Sequence, residues 1–218
     1  MRIIAIPVKS LDRAKTRLAG VLTPLERGAL TLAMLEDVLD AALAVGNWHV
    51  WVVSPDEAIL EVAARRRARP VPEERGTLAG AVRTAQDTAD DEDANALAVL
   101  LGDLPLVTPP ALAKALRTIG PVVACPARSD GGTNLLLRRP PRVITARFGS
   151  NSFSKHQKVA SDLGLPFAEV RSPEIGFDLD RPEDILELMA RGPKTRTALV
   201  CREMGLPARL GFQRHQSL

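Results

Sequence analysis

Short apolar runs closed by turn residues alternate along the chain with stretches whose apolar positions recur at helical spacing. Arg2 to Val8 is such a run, and so are Trp48 to Ser54, Ala96 to Leu101 and Pro121 to Pro126. Continuous apolar runs of this length predict strands buried on both faces, as in a parallel sheet covered by helices. Between the first two runs, Thr23-Pro24-Leu25-Glu26 combines a cap, a first-turn proline and an acid three residues on, which predicts a helix start. Leu32, Leu35, Val38, Leu39, Ala42 and Leu43 continue it with one buried face, and Gly46 ends it. Ser54-Pro55-Asp56-Glu57 starts a second helix to about Arg67, and a third is expected from Leu78 to about Asp90. Thr108-Pro109-Pro110 caps a fourth, to about Ile119. Strand, helix, strand, helix is the signature of a parallel sheet with right-handed crossovers.

After residue 126 the pattern changes. Ser129-Asp130-Gly131-Gly132-Thr133-Asn134 is a polar, glycine-rich loop leading into Leu135-Leu136-Leu137. Arg147-Phe148-Gly149-Ser150-Asn151-Ser152-Phe153 leads into a helix ending near Gly164, and Phe177-Asp178-Leu179-Asp180 into one ending near Ala190. Residues 70–76 are expected to be a turn-rich loop. One domain is expected over residues 1–190, followed by a basic extension over 191–218 with a short helical piece around Ala198–Met204.

Composition narrows the functional classes. The 218 residues are 45% hydrophobic and 25% charged, as in ordinary globular proteins. Aromatic residues make up 3%, with no Tyr, which argues against base-stacking platforms and so against nucleic-acid partners. The net charge of +3 comes from dispersed Arg; the densest cluster, Arg65-Arg66-Arg67 with Arg69, reads as a solvated helix end. The acidic run Asp90-Asp91-Glu92-Asp93 lacks the glycine of a calcium loop and is expected to be a solvated turn. Cys125 and Cys201 are far apart, without metal-ligand spacing, and Cys125 reads as a small core residue. Met1-Arg2-Ile3-Ile4 enters a strand at once and no apolar run is long enough to span a bilayer. No membrane association and a reducing cytoplasmic location are expected.

The candidate chemistry gathers where strands end. Asp103 is the only charge in Ala96–Pro105 and follows a buried strand directly. Ligands of open α/β sheets bind at the carboxyl ends of strands, where a carboxylate can hold Mg²⁺ and Mg²⁺ can hold phosphates. Lys9, Arg13, Lys15 and Arg17 place four cations within nine residues after the first strand, which suits an anionic ligand as well as a solvated loop. Asp178 and Asp180, two apart in an extended segment, face one side and can reach one metal, although Asp180 can equally cap the following helix. Gly131-Gly132-Thr133-Asn134 and Gly149-Ser150-Asn151-Ser152 are small, polar loops; the second precedes a helix, whose N-terminus attracts anions, with capping by Ser150 or Asn151 as the plainer reading. His49, His156 and His215 show no zinc-ligand spacing. His156 follows the second loop by about one helical turn and can line the site or serve as a structural contact. Neither a Walker motif nor a Gly-x-Gly-x-x-Gly turn follows the first strand. The combination fits Mg²⁺-assisted transfer from a nucleoside triphosphate.

In order, Ile6-Pro7-Val8-Lys9 with Lys15-Thr16-Arg17-Leu18, Gly102-Asp103-Leu104-Pro105, Asp130-Gly131-Gly132-Thr133-Asn134, Phe148 to Phe153 with His156, and Phe177 to Asp184 make up a motif set. This set resembles the phosphoenolpyruvate / 2-phospho-L-lactate guanylyltransferases of coenzyme F-420 biosynthesis, over about residues 2–190. The resemblance implies a Rossmann-like α/β sheet of the nucleotide-diphospho-sugar transferase type, similar to molybdopterin guanylyltransferases. It implies that GTP and a phosphorylated three-carbon acid give a guanylyl diphosphate adduct and pyrophosphate, and that the product passes to a later enzyme. Asp103, Asp178 and Asp180 would hold Mg²⁺. Thr133, Gly149 and Ser152, with Gly132 and Asn134 beside them, would bind the acid. Lys9, Lys15 and Arg17 would be the catalytic cations on the triphosphate side. Ala79 stands where the family usually has Asn for reading the nucleotide. A homodimer is compatible with the sequence. Other readings are a Mg²⁺-dependent nucleotidyltransferase acting on 3-phosphoglycerate, a sugar phosphate or molybdopterin, and a non-catalytic nucleotide-binding regulator.

Overall fold

A computed structural model describes residues 1–211; residues 212–218, with His215, lie outside the described residues. In chain order the elements are β1 (Arg2–Pro7), α1 (Pro24–Leu43), β2 (His49–Ser54), α2 (Glu57–Arg65), β3 (Arg69–Pro72), α3 (Leu78–Asp91) and β4 (Ala96–Leu100). They continue with α4 (Pro109–Arg117), β5 (Val122–Pro126), β6 (Thr133–Arg138), α5 (Ser152–Asp162), β7 (Phe167–Glu169), α6 (Pro182–Arg191), α7 (Arg196–Glu203) and α8 (Leu206–Arg209).

The strands form one seven-stranded sheet in the order β3-β2-β1-β4-β6-β5-β7. β6 runs antiparallel to both of its neighbours, and the other pairings are parallel. Alternate residues of the central strands face opposite layers, as a pleat requires. Ile4, Ile6, Ala98 and Leu100 pack under Leu35 and Leu39 of α1, Ile59 of α2 and Leu112 of α4. Ile3, Ala5, Leu97 and Val99 pack under Ala81, Val82 and Ala85 of α3. Leu136 and Ala124 meet Ala160 of α5 on the same side of the sheet as α3. Full burial of each such Leu or Ile contributes about 1.5–3 kcal/mol, so the middle of the sheet is the rigid part of the molecule.

The stretch expected to be a loop over residues 70–76 begins instead with β3, Arg-Pro-Val-Pro. Two prolines disguise it, and they are tolerated because β3 is an edge strand with only β2 as partner. The helix starts follow their caps. Thr23 accepts from the Glu26 N–H while the Glu26 carboxylate accepts from the Thr23 N–H, a complete capping box. Beyond residue 191, α7 and α8 bury Ala198, Cys201 and Leu206 against Leu30 and Met34 on the far side of α1, together with Leu188 of α6. The Asp37 carboxylate of α1 accepts from the N–H groups of Arg196 and Thr197 and from the Thr197 hydroxyl, fixing the start of α7. No helix among the described residues is long and apolar enough to cross a membrane.

Candidate active site

β1 and β4 are neighbours, but the chain leaves β1 toward β2 on one side and reaches β4 only after β3. This reversal of direction opens a crevice above the carboxyl ends of β1 and β4. A cleft of about 440 Å³ lies there. Its first wall is the basic loop. Two single 3-10 turns, Leu11–Arg13 and Thr16–Leu18, bracket Lys15, which takes a left-handed backbone with φ of 51°. Buried Arg27 of α1 donates to the Ala14 and Leu22 carbonyls at 3.2 Å and holds this loop against the helix. Sequence reading missed Arg27, whose position on the buried face of an amphipathic helix was the available signal.

The loop delivers the Lys15 ammonium between two carboxylates. It donates to Asp103 Oδ2 at 2.7 Å and to Asp180 Oδ1 at 2.6 Å, with its side chain 7% exposed. Burial opposes the charge, but Asp103 and Asp180 outweigh it and hold the proton more tightly than an ordinary lysine does. Arg17 adds a bond to Asp180 Oδ2 at 3.2 Å. For Asp180 too, burial is outweighed, here by Lys15, Arg17 and Lys9, so its carboxyl lies below the usual range. Its carboxylate faces the cleft, and the cap of α6 comes from Asp184, which accepts from the N–H groups of Asp180 and Arg181. Of the two readings of Asp180 left open by the sequence, the helix cap is thereby removed, and its carboxylate is held by Lys15 and Arg17.

Gly102 lets the chain leave β4 tightly, since a Cβ there would stand 3.0 Å from Val8 Cγ2. The Asp103 carbonyl accepts from the Leu179 N–H at 3.1 Å, which pins the Asp178–Asp180 segment beside the strand end. Phe177, stacked under the guanidinium groups of Arg128 and Arg191, anchors the segment from behind. Asp178 receives only a 3.4 Å contact from the Asn134 amide and makes no ion pair among the described residues. Burial, then Asp103 and Asp180, push its carboxyl up to about 6 despite that contact.

The three acids therefore gather in one cleft but in different states. Asp180 is neutralised by Lys15 and Arg17. Among the described residues, Asp178 has no cation paired with it, and Asp103 keeps one buried oxygen, Oδ1, without a hydrogen-bond partner. Among the described residues no three His, Cys, Asp or Glu side chains converge as a closed metal cage. Mg²⁺ does not need one, because it is usually held by one or two carboxylates together with waters and substrate phosphates. The orphaned Asp103 oxygen and the unpaired Asp178 fit that role.

The opposite wall comes from the start of β6. Because β6 is antiparallel, its first residues, Thr133 and Asn134, stand beside the end of β4: the Leu101 N–H donates to the Asn134 carbonyl at 3.0 Å. The Asn134 amide also donates to the Ile175 carbonyl at 2.9 Å. The loop before β6 and the loop before α5 clasp each other, with the Phe153 N–H donating to the Gly131 carbonyl at 3.1 Å. Gly131 and Gly149 both adopt positive φ, at 67° and 117°. Gly132, Thr133, Asn134 and Gly149 line the cleft; Ser152 stands one layer behind, its hydroxyl 3.0 Å from Thr133 Oγ1. Asn151 gives α5 no side-chain cap, but Ser152 and Phe153 spend their N–H groups on Gly149 and Gly131. An anion bound here would therefore rest more on Thr133 and the loop backbone than on the tip of the helix. His156 is buried behind this wall and does not line the cleft. Lys9 and Arg13 complete the basic side; Phe148 of the motif set and Leu78 at the start of α3 also line the cleft, with Thr31, which sequence reading did not single out.

A mostly parallel sheet with acids at a strand end, cations on the first loop and a glycine-hydroxyl cradle opposite defines a nucleotidyltransferase-type α/β protein. A solved nucleotidyl transferase from Methanothermobacter shares this fold with a TM-score of 0.66 at 18% identity, covering 87% of this chain and 97% of that one. The chain belongs to the family described as guanylyl transferase CofC like, whose model matches residues 1–214. It is 40% identical over 190 residues to a phosphoenolpyruvate guanylyltransferase of Rubrobacter xylanophilus, covering 86% of this chain and 93% of the relative. It is 42% identical over 200 residues to a 3-phospho-D-glycerate guanylyltransferase of Phenylobacterium zucineum, covering 88% and 91%. The fold class and family expected from the motif set are therefore both found.

Proposed function

We propose that this guanylyltransferase joins GTP to phosphoenolpyruvate, with release of pyrophosphate, in the cytoplasmic assembly of coenzyme F-420. One observation carries the reading. An unpaired carboxylate and an orphaned carboxylate oxygen, from Asp178 and Asp103, face a glycine-hydroxyl cradle across a cleft whose third side is basic. The cradle of Gly132, Thr133 and Gly149 suits a small phosphorylated acid, and Lys9, Arg13 and Arg17 suit a triphosphate. Asp103 and Asp178 would hold Mg²⁺, which when bound neutralises charge on the phosphates.

The chain's own residues perform the remaining work. Thr133 and the loop backbone orient the acid so that its phosphate oxygen faces the α-phosphorus of GTP. A bond forms between that oxygen and the α-phosphorus while the bond to the β-phosphate oxygen breaks, and pyrophosphate leaves. Lys15, kept charged by its two acids, presents a fixed positive centre where negative charge gathers. Asp180 positions that ammonium. Such in-line transfer needs positioning and charge stabilisation more than acid–base chemistry.

The test is pyrophosphate release with each nucleoside triphosphate crossed against phosphoenolpyruvate, 2-phospho-L-lactate and 3-phosphoglycerate, with Mg²⁺ and with excess chelator. Turnover with GTP and phosphoenolpyruvate, abolished by the chelator, is expected. Absence of turnover with GTP and any of the three acids refutes the reading. Ala79 is exposed beside Leu78, which lines the cleft, and stands where the family usually has Asn, so the nucleotide arm also measures how strictly guanine is required.

A further inference from the structure

His156 is fully buried and the transfer chemistry above does not use it. Its two ring nitrogens have different partners, and those partners settle its tautomer. Nε2 receives the backbone N–H of Arg147 at 2.8 Å. A backbone N–H can only donate, so Nε2 carries the lone pair. Burial, reinforced by Arg138, Arg147 and Lys155, pushes the imidazole down to about 4, so the ring is neutral near pH 7 and its single proton sits on Nδ1. Nδ1 lies 3.1 Å from Thr133 Oγ1 and therefore donates to it. Ser152, one helical turn before His156 and on the same face of α5, donates its hydroxyl to the same oxygen at 3.0 Å. Phe148 meets the imidazole edge-on at 5.5 Å and limits its rotation.

A threonine hydroxyl has two acceptor positions and one proton. Here both acceptor positions are filled from behind, by His156 and Ser152, while Thr133 alone of the three lines the cleft. The proton of Thr133 then has the cleft as its remaining direction.

We propose that His156 is a positioning residue which, through the Nδ1–H tautomer, makes Thr133 an obligate hydrogen-bond donor to an anionic oxygen of the phosphorylated acid. Such a donor favours carboxylate or phosphate oxygens and gives nothing to a ligand that presents an N–H at that place. The inference rests on the function proposed above, in which Thr133 meets the acid, and adds His156 as the residue that fixes the direction of its hydroxyl.

Two substitutions separate the two ends of the ring. In His156→Asn the amide nitrogen falls near Nδ1 and can still donate to Thr133, while the bond to Arg147 is lost. In His156→Gln the amide oxygen reaches the place of Nε2 and keeps the Arg147 bond, while the donor to Thr133 is lost. Steady-state pyrophosphate release on the full chain should show KM for phosphoenolpyruvate raised about tenfold to a hundredfold in His156→Gln, the worth of a hydrogen bond to a charged group. His156→Asn should stay within about threefold of wild type, and KM for GTP should be unchanged in both. Equal effects of the two variants on KM for the acid, or parallel changes in the two KM values, overturn the proposal. Nitrogen-15 NMR of the wild-type imidazole needs neither turnover nor a variant that folds. A protonated Nδ1 and a bare Nε2 are expected, and the opposite tautomer overturns the proposal. A wild-type chain that turns over none of the acids while showing the expected tautomer refutes the function and the acid's role but not the polarity of Thr133, which tells the two failures apart.

Discussion

Replacing Asp178 by Asn isolates the electrostatic cost of gathering three acids in one cleft. Burial and the neighbouring Asp103 and Asp180 raise the Asp178 carboxyl from its ordinary 3.8 to about 6. That gap corresponds to about 3 kcal/mol between the two protonation states. Its sign follows from linkage. A carboxyl with a raised native value favours the fold fully below the unfolded value, loses that contribution as pH rises to about 6, and contributes nothing further above it. Asn never ionises and removes this dependence. Solvent at the cleft mouth screens part of the cost, so the variant should exceed wild type in metal-free stability by on the order of 1–3 kcal/mol at about pH 8, and by much less at about pH 4.5. Urea unfolding of both proteins at the two pH values, with chelator present, measures the difference. If Asp178 holds the cation as proposed, the same substitution should lower Mg²⁺-dependent pyrophosphate release by about two orders of magnitude or more. A variant that is no more stable at the higher pH, or whose advantage shrinks as pH rises, refutes the account of Asp178 as an unpaired acid waiting for a cation.

Lys15→Met leaves Asp103 and Asp180 facing each other without their bridge, and should cost about 3 kcal/mol in urea unfolding. Asp180→Asn in that background should return about 1 kcal/mol or more, and strictly additive single effects would refute the bridge. Gly176→Ala places a Cβ 2.9 Å from the Ser172 carbonyl oxygen, so backbone must move under Asp178. It should cost about 1–3 kcal/mol and most of the turnover, whereas Gly20→Ala, with nothing within 4 Å, should lie within about 0.5 kcal/mol of wild type in thermal unfolding.

Local rules made much of the fold legible. The proline-bearing caps at Thr23 and Thr108 and the uninterrupted apolar runs of β1 and β4 each have one reading, and β2 is nearly as clear. Asp103 was legible for the same reason, as a lone charge closing a buried strand has to emerge at its carboxyl end. The edges were less clear. β3 is half proline and β7 has three residues, and both rely on a neighbouring strand more than on their own pattern. The partners of Asp180 were hidden because the same four residues, Asp-Arg-Pro-Glu, satisfy the rules for a helix cap. Only the approach of Lys15, 165 positions away, decides between the readings. His156 was hidden in another way. Its chemistry lies in which nitrogen faces Thr133, and spacing along a helix cannot express that.

The antiparallel strand links these gaps. Apolar character says nothing of direction, so Leu135-Leu136-Leu137 fits a strand of either sense. The connection before it does carry the information: residues 127–132 are too few for a crossover, which takes a dozen or more residues. β6 must therefore run back along the sheet, and it does so between β4 and β5. A parallel strand in that place would put its first residues at the far end of the sheet, away from Asp103. Run in reverse, it sets Thr133 and Asn134 level with Leu101 at the end of β4. From there Asn134 reaches the Ile175 carbonyl and Asp178, and Thr133 rests on His156. One reversed strand thus brings the glycine-hydroxyl cradle to the acids, so that an acceptor phosphate and a triphosphate can meet over one cleft. The short turn that makes the reversal possible is also the one that lines the cleft, so the topology and the chemistry of this site are set by the same residues.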